Sequence, residues 1–504
     1  MSSKSFALLL SAILLAAPYL APGSFPLAWI SFVPLFWVIG KAETLRRAVL
    51  CGWLMGTVAH LLGFHWLVYT INVFGGFPYP VSSVVFLLYA ILQGFQMAIF
   101  TFLVRRFGFG PLQILPAVFW VALEFWFPLL FPWYFANSQV SFSLFIQTAD
   151  LVGPYGASLL LMWFNAAAYR IVYPGNEVRR SYLPALACCV AMAILSLIYG
   201  YQRLGAVEEE IAAARKLPVA AVQGNIDIDL KWDPALVKQN LAKHKNLTSQ
   251  LEALPLVIWP ESAVEVWLPD QLQYLPEDLM PQLKSPQSHL IFGAKSFRGR
   301  PGTADFQAFN TAFFTDAAGR VLGTYHKQVL LAFGEYLPFA KVLALLPAMP
   351  FADGFTAGSG SVAFEMPGGI RIASLICYED LMPHLSRNFV KATGANLLVN
   401  LTNDAWYGKS VGPWQHARLA QSRAIETRRS LLRVTNTGVT SLVNAKGELL
   451  ESLPMFVPDV LKAEVDILDG QTYYVRYGDW FAWAMTIVTG AIVLFHLKRA
   501  ITDK

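Results

Sequence analysis

The chain has 504 residues, of which 55% are hydrophobic and only 14% charged, with a formal net charge of +5. A soluble globular chain has about a quarter of its residues charged, so this composition excludes a wholly soluble protein, and so mild a charge gives no reason to invoke nucleic acid. The shortage of charge falls in residues 6–203 and 478–497, whereas 204–470 has an ordinary soluble composition. The expected organisation is therefore an N-terminal transmembrane bundle over 1–203, a globular domain over 204–470, and a final membrane helix with a short tail over 471–504.

A helix needs about 20 apolar residues to cross the hydrocarbon core. Runs of that kind lie near 6–22, 25–40, 48–70, 80–104, 111–131, 154–173, 182–202 and 478–497, which predicts eight spans, seven of them in the N-terminal bundle. The first run also has the look of a signal peptide, since Lys4 precedes an apolar stretch. Pro22 and Gly23 read as a tight turn into the next span, which favours retention. Lys and Arg in short loops mark the cytoplasmic side. Lys4, then Lys41, Arg46 and Arg47, then Arg105 and Arg106, then Arg170, Arg179 and Arg180, then Lys498, Arg499 and Lys504 fall in alternate connections. The connections near 22–25, 70–80 and 131–154 hold neither residue type. The pattern predicts cytoplasmic termini and a domain on the opposite face, which is the periplasm if the membrane is a bacterial inner membrane.

Within 204–470, strand and helix alternate. Strands are expected at Leu217–Val222, Leu256–Trp259, His289–Ala294, Gly369–Ile376 and Asn396–Leu401, and helices at Ala235–Leu254, Leu381–Thr393 and Gln415–Ser430. Hairpins are expected over Phe309–Leu330, turning at Asp316–Gly319, and over Leu432–Leu450, turning at Asn444–Gly447. This order points to a layered α/β domain with a mixed sheet.

Three stretches place a reactive side chain at the end of an apolar strand: Leu256-Val-Ile-Trp-Pro-Glu261, Gly323-Thr-Tyr-His-Lys327 and Ile372-Ala-Ser-Leu-Ile-Cys377-Tyr-Glu379. Each has a bland reading alone, as a loop carboxylate, a solvated lysine and a core thiol. Together they hold a complete nucleophilic set. A thiol is a few per cent thiolate at neutral pH and needs a base. Glu261 can accept its proton, and Lys327 can hold the oxyanion of a tetrahedral intermediate. Cys51, Cys188 and Cys189 lie in apolar runs, where a thiol acts as a small hydrophobe, and there is no CxxC pair with zinc spacing.

These motifs resemble the nitrilase, or carbon–nitrogen hydrolase, superfamily in order and separation. With the membrane spans, the whole chain is similar to the bacterial apolipoprotein N-acyltransferases. Further matching stretches are Gln223-Gly-Asn225, Phe333-Gly-Glu335-Tyr, Asn403-Asp404-Ala-Trp406, Thr472-Tyr-Tyr-Val-Arg476, Phe131-Pro-Trp133 and Gln147-x-Ala149. The family often carries Arg in its fifth span, where this chain has Glu124-Phe-Trp126.

The resemblance implies an α-helical bundle joined to an αββα sandwich with a Glu-Lys-Cys triad. Glu261 would be the general base, Lys327 the oxyanion cation and Cys377 the nucleophile. Tyr378 would give its backbone N–H to the oxyanion hole, Glu335 and Glu379 would support Lys327, and Trp232 and Trp406 would line the substrate channel. It further implies ping-pong acyl transfer from a phospholipid, phosphatidylethanolamine in the first instance, to the α-amine of a diacylglyceryl-cysteine apolipoprotein. The thioester stores the acyl group, so no metal or organic cofactor is expected. The apolar stretch Leu343–Phe351, flanked by glycines, is expected to gate lipid entry. Two other classes compete: a membrane-tethered amidase with the same triad, and a transporter or scaffold, whose signs would be a missing triad member or intramembrane charges such as Glu124, His60 and His65.

Overall fold

The computed structural model describes residues 2–175, 178–303, 305–336 and 354–502. Two compact units emerge: Met1–Ile71 with Phe77–Ala206 and Tyr477–Lys504, and Asn72–Gly76 with Val207–Arg476. The segment Leu343–Phe351 lies outside the described residues.

The first unit is helical. Among the described residues, five helices are long and apolar enough to cross a membrane: Ser3–Leu20, Pro22–Gly40, Tyr79–Phe107, Arg179–Ala213 and Trp480–Arg499. A sixth span results if Leu45–Gly63 and Leu67–Gly75, which meet at a 69° bend, count as one. The expected eight are therefore not reached. The run near 111–131 gives only the 12-residue helix Leu115–Trp126, which ends ahead of Pro128. The run near 154–173 becomes Tyr155–Val172, whose apolar face is interrupted by Asn165 and Arg170.

Packing in this unit relies on small residues. Gly52 and Gly56, one helical turn apart on Leu45–Gly63, meet the 79–107 segment so closely that a Cβ at Gly52 would lie 2.7 Å from the Met97 carbonyl. Polar side chains satisfy backbone that helix breaks leave open. Asn165 donates to the Ala28 carbonyl at 2.9 Å and accepts from the Phe32 N–H at 2.8 Å. Glu124 accepts the Phe135 N–H, and His60 Nδ1 lies 2.9 Å from the Gly56 carbonyl. These two groups make local bundle contacts.

The second unit is built on two sheets. The first contains β1 (Arg215–Gln223), β2 (Leu256–Ile258), β3 (Val264–Pro269), β4 (His289–Arg298), β5 (Gln307–Asp316), β6 (Val321–His326) and β13 (Asp459–Ile467), in the order β13-β1-β2-β4-β5-β6 with β3 beside β4. The second contains β7 (Ala363–Met366), β8 (Ile370–Ile376), β9 (Leu397–Thr402), β10 (Leu431–Thr435), β11 (Ser441–Val443) and β12 (Leu449–Ser452), paired in sequence order. Strands β1, β2 and β4 run parallel, as do β8, β9 and β10; β3 also pairs parallel with β4, and the remaining outer pairs are antiparallel. Central strands such as Leu397–Thr402 are buried along their whole length, as parallel strands covered on both faces must be.

The sheets face each other. Thr440 donates to Gln223 Oε1 at 2.7 Å, and the rings of Phe314 and Phe364 stack at 5.1 Å. Helix Val237–Ser249 covers the first sheet, where Trp259 Nε1 donates to Thr248 Oγ1 at 2.9 Å. Helices Pro383–Thr393 and Gly412–Thr427 cover the second. The result is an αββα sandwich. The expected strands and hairpin turns recur within a few residues. The helix expected over Ala235–Leu254 is shorter at both ends, and β3, β7 and β13 were not anticipated.

Candidate active site

Cys377 follows the last residue of β8 and opens the 3₁₀ turn Cys377–Leu381. Its φ of +51° lies in the left-handed region, which costs an L-residue about 1–2 kcal/mol. Surrounding bonds hold it there. Asn400 Nδ2 donates to the Cys377 carbonyl at 2.9 Å, and the Ile376 N–H donates to Glu379 Oε2 at 2.8 Å.

Glu261 stands in the turn after β2, next to Ser262, whose φ is +53°. That turn lies flat on β4 at Gly293, where a Cβ would come 2.6 Å from the Ser262 nitrogen, so the close approach requires glycine. Lys231 anchors the turn from below, donating to the Ser262 carbonyl at 2.9 Å with Glu265 Oε1 at 3.8 Å. Burial pulls its ammonium down to about 8, partly offset by Glu265.

Lys327 follows β6. Its N–H donates to the Asn310 carbonyl at 2.9 Å, and its Nζ lies 2.7 Å from Glu335 Oε2. Asn310, on β5, joins the two acids: its Nδ2 donates to Glu261 Oε1 and to Glu335 Oε1, both at 2.8 Å. The Cys377 thiol is within hydrogen-bonding reach of Glu261. Glu261, Lys327, Glu335 and Cys377 are thus brought together, all buried.

Glu379 points the other way. It accepts from Tyr325 OH at 2.8 Å, from the Gln328 N–H at 2.6 Å and from the Val329 N–H at 3.0 Å, besides Ile376. It therefore fastens the nucleophile turn to the chain leaving Lys327. Burial lifts its carboxyl to about 7 against the opposing pull of those N–H groups.

Burial raises the Glu261 carboxyl, and Glu335 adds to this while Lys327 opposes it. Burial and the Glu261 charge push the Cys377 thiol well up. For Lys327, burial is outweighed by Glu335, Cys377 and Glu261, which hold it protonated. Two carboxylates share one ammonium, so the group has room for one further proton. That proton is the one a thiol must lose to become a nucleophile.

Tyr378 is buried in the turn beside Cys377. Trp232 and Trp406 make their described contacts outside the acid–lysine–thiol group. Trp232, at φ +76°, has Lys295 Nζ 4.4 Å from its ring centre, and Trp406 packs against Phe74 at 4.6 Å. Sequence reasoning missed Asn310, Lys231 and a buried ionic group formed by Asp380, Asp404, His416 and Arg433. One signal was available for Asn310, a polar residue within the run Ala308-Phe-Asn-Thr-Ala-Phe-Phe314.

Residues 11–167 match the model of the apolipoprotein N-acyltransferase N-terminal domain, and residues 218–474 match that of the carbon-nitrogen hydrolase. An apolipoprotein N-acyltransferase from Geobacter metallireducens is 34% identical over 97% of this chain and 94% of its own length. One from Azotobacter vinelandii is 33% identical over 94% and 91%. Among solved structures, a Saccharomyces cerevisiae member of branch 10 of the nitrilase superfamily aligns with a TM-score of 0.37 and 18% identity, covering 50% of this chain and 90% of that one. The full-length relatives favour acyl transfer over the amidase alternative. The chain is a multi-pass membrane protein that belongs to the apolipoprotein N-acyltransferase family, an acyltransferase whose catalytic unit has the carbon-nitrogen hydrolase fold.

Proposed function

We propose that the chain moves a fatty acyl group from a membrane phospholipid to the N-terminal amine of a diacylglyceryl-cysteine apolipoprotein, by way of a thioester on Cys377. The observation that carries this reading is the proton deficit of the buried group: Glu261 and Glu335 are bridged by Asn310, with Lys327 as their shared cation and the thiol at Glu261.

In the first half-reaction Glu261 takes the thiol proton as Cys377 Sγ attacks the ester carbonyl. The Lys327 ammonium and the Tyr378 backbone N–H hold the oxyanion. Collapse breaks the ester C–O bond, and Glu261 returns the proton to the departing lysophospholipid alkoxide. In the second half-reaction the acceptor amine attacks the thioester. It gives its proton to Glu261, and Cys377 leaves and is reprotonated. Glu335 and Glu379 position Lys327, and Trp232 and Trp406 contact substrate. Phosphatidylethanolamine is the donor proposed first.

Both substrates are lipids, and each CH₂ drawn from the bilayer costs about 0.8 kcal/mol, so extracting a whole chain costs on the order of 10 kcal/mol. A membrane enzyme avoids that cost. Loop charges support cytoplasmic termini and a periplasmic catalytic unit in the inner membrane of a bacterium. Accessibility tags at Glu43 and Phe107 are expected to report cytoplasm. Leu290 is fully buried in β4, so the opposite face is better tested at the exposed Gly302. Cytoplasmic labelling of Gly302 would sink the orientation.

The direct test is peptide-level mass spectrometry of the digested protein after incubation with phosphatidylethanolamine vesicles. An acyl-sized increment on the Cys377 peptide is expected, discharged when a diacylglyceryl lipopeptide amine is added. An unmodified Cys377 peptide under turnover would end the covalent reading.

A further inference from the structure

Behind the nucleophile turn lies a group of four charges that the proposed chemistry does not use. Asp380 stands on the turn Cys377–Leu381, and Asp404 opens the turn Asp404–Tyr407 that carries Trp406. His416 projects from helix Gly412–Thr427, and Arg433 sits in the middle of β10. His416 Nδ1 is 2.9 Å from Asp404 Oδ1, and its Nε2 is 3.0 Å from Asp380 Oδ1. Arg433 Nη1 donates to Asp380 Oδ2 at 2.5 Å and Nη2 to Asp404 Oδ2 at 3.3 Å. Asp380, Asp404 and Arg433 are fully buried and His416 nearly so.

The geometry sets the protonation state. Each ring nitrogen of His416 has a carboxylate oxygen within 3.0 Å, closer than the Arg433 Nη2 that lies 3.4 Å from Nδ1, so the shorter contacts favour a ring that donates from both nitrogens, an imidazolium. Two negative and two positive charges then balance in a dry interior, where an unpaired ion would be very costly. The pocket has no slack: a Cβ at Gly438 would come within 2.3 Å of Asp404 Oδ2. The same helix braces the nucleophile turn a second time, as Arg423 Nη1 donates to the Leu381 carbonyl at 2.9 Å.

We propose that Asp380, Asp404, His416 and Arg433 form a charge-balanced clamp that locks the Cys377 turn and the Trp406 turn into one rigid piece. The four are positioning residues for acyl transfer. The clamp rests on the assignment of Cys377 as nucleophile. It also makes the site sensitive to loss of the His416 proton. The charged and titratable groups that face this ring are Asp380, Asp404 and Arg433, with the Tyr407 ring 5.8 Å away. Burial works against the imidazolium, but Asp380 and Asp404 outweigh it together with the repulsion from Arg433 and raise its pKa. A raised histidine contributes stability fully below its ordinary range near 6.5, and that contribution is lost as pH climbs through the raised value.

The test is a double-mutant cycle on the full chain in detergent or vesicles. It reads the single-turnover rate of Cys377 acylation from phosphatidylethanolamine and the Tm at several pH values. His416→Gln leaves two carboxylates to one cation, and Asp404→Asn leaves the reverse. Each single variant is expected to slow acylation at least 30-fold, as a rate effect with little change in the half-saturating lipid concentration. The double variant restores neutrality and is expected to recover at least tenfold over the worse single. Its Tm should also lack the part of the alkaline decline that wild type owes to His416. Singles within threefold of wild type, a double no faster than the worse single, or identical alkaline Tm profiles would each overturn the clamp. Absence of any acyl adduct on wild-type Cys377 would overturn the nucleophile assignment itself, and the clamp's catalytic role with it.

Discussion

The two sheets of the catalytic unit bring different electrostatics to the same site. The first and the chain leaving it present Glu261, Asn310, Lys327 and Glu335, two carboxylates to one ammonium, so a proton has somewhere to go. The second presents Cys377 on a turn backed by two carboxylates and two cations, where no proton is wanted. The contrast teaches that burying charge serves two ends. An unbalanced group exchanges protons with a substrate, whereas a balanced one only holds geometry. Glu379, reaching from the turn after β8 to Tyr325 on β6 and to the N–H groups of Gln328 and Val329 just beyond it, ties the two sheets together.

The sharpest way to break this picture is at the thiol. Cys377→Ala removes the thiol that stands beside Glu261 and Lys327, so acyl-enzyme and product should both vanish in mass-spectrometric and lipopeptide assays. Measurable turnover would require another nucleophile. Next is the proton acceptor. Glu261→Gln keeps the shape and loses the base, and Cys377 acylation should slow about 10²–10⁴-fold. In wild type, acylation should fall as pH drops through the raised range of Glu261, above the ordinary carboxylate range, because a protonated base cannot take the thiol proton. A Glu261→Gln variant with the same acid limb would reassign that limb to another group.

Asn310→Ala tests whether the bridge between the acids matters. It leaves two buried acceptors short of a donor, at about 1–3 kcal/mol, and should slow acylation about 10–100-fold without changing which residue is acylated. An unchanged rate would mean that Glu261 and Glu335 are held without it. The smallest effect is expected at the joint between the sheets. Tyr325→Phe removes one of the donors to Glu379 and leaves the backbone N–H groups, so it should cost about 1 kcal/mol in thermal unfolding and change acylation only a few-fold. A larger loss of rate than of stability would make Tyr325 part of the chemistry.

Legibility in the sequence followed what each residue has to face. Glu261, Lys327 and Cys377 end apolar strands, and a reactive group after such a run is conspicuous. Asn310 stands out only as a polar break in an apolar run, and His416 and Arg433 not at all, since only tertiary packing shows that Leu431-Leu-Arg433-Val-Thr435 is buried along its whole length. Strand β13, Asp459-Val-Leu-Lys-Ala-Glu-Val-Asp-Ile467, alternates charge with apolar residues and pairs on one side with β1, so it resembled a polar connection. β3 ends in Pro269 and β7 is only four residues long, both marks of edges. The count of eight spans is not confirmed among the described residues for a related reason. Apolar runs near 111–131 and 154–173 share their composition with membrane spans, but Pro128 in one and Asn165 and Arg170 in the other limit what the helices can cross.

The pairing of β1 with β13 has a consequence for how the protein is made. β1 is among the first parts of the catalytic unit to leave the ribosome and β13 among the last, and they align antiparallel from Arg215↔Ile467 to Gln223↔Asp459. Until β13 arrives, β1 has an unpaired edge, and closing so long a loop is slow. When Cys377 is made, Glu261 and Lys327 already precede it, and its turn is complete once Asn400 follows. Late closure of this sheet leaves the β1 edge open until nearly all of the catalytic unit has been made.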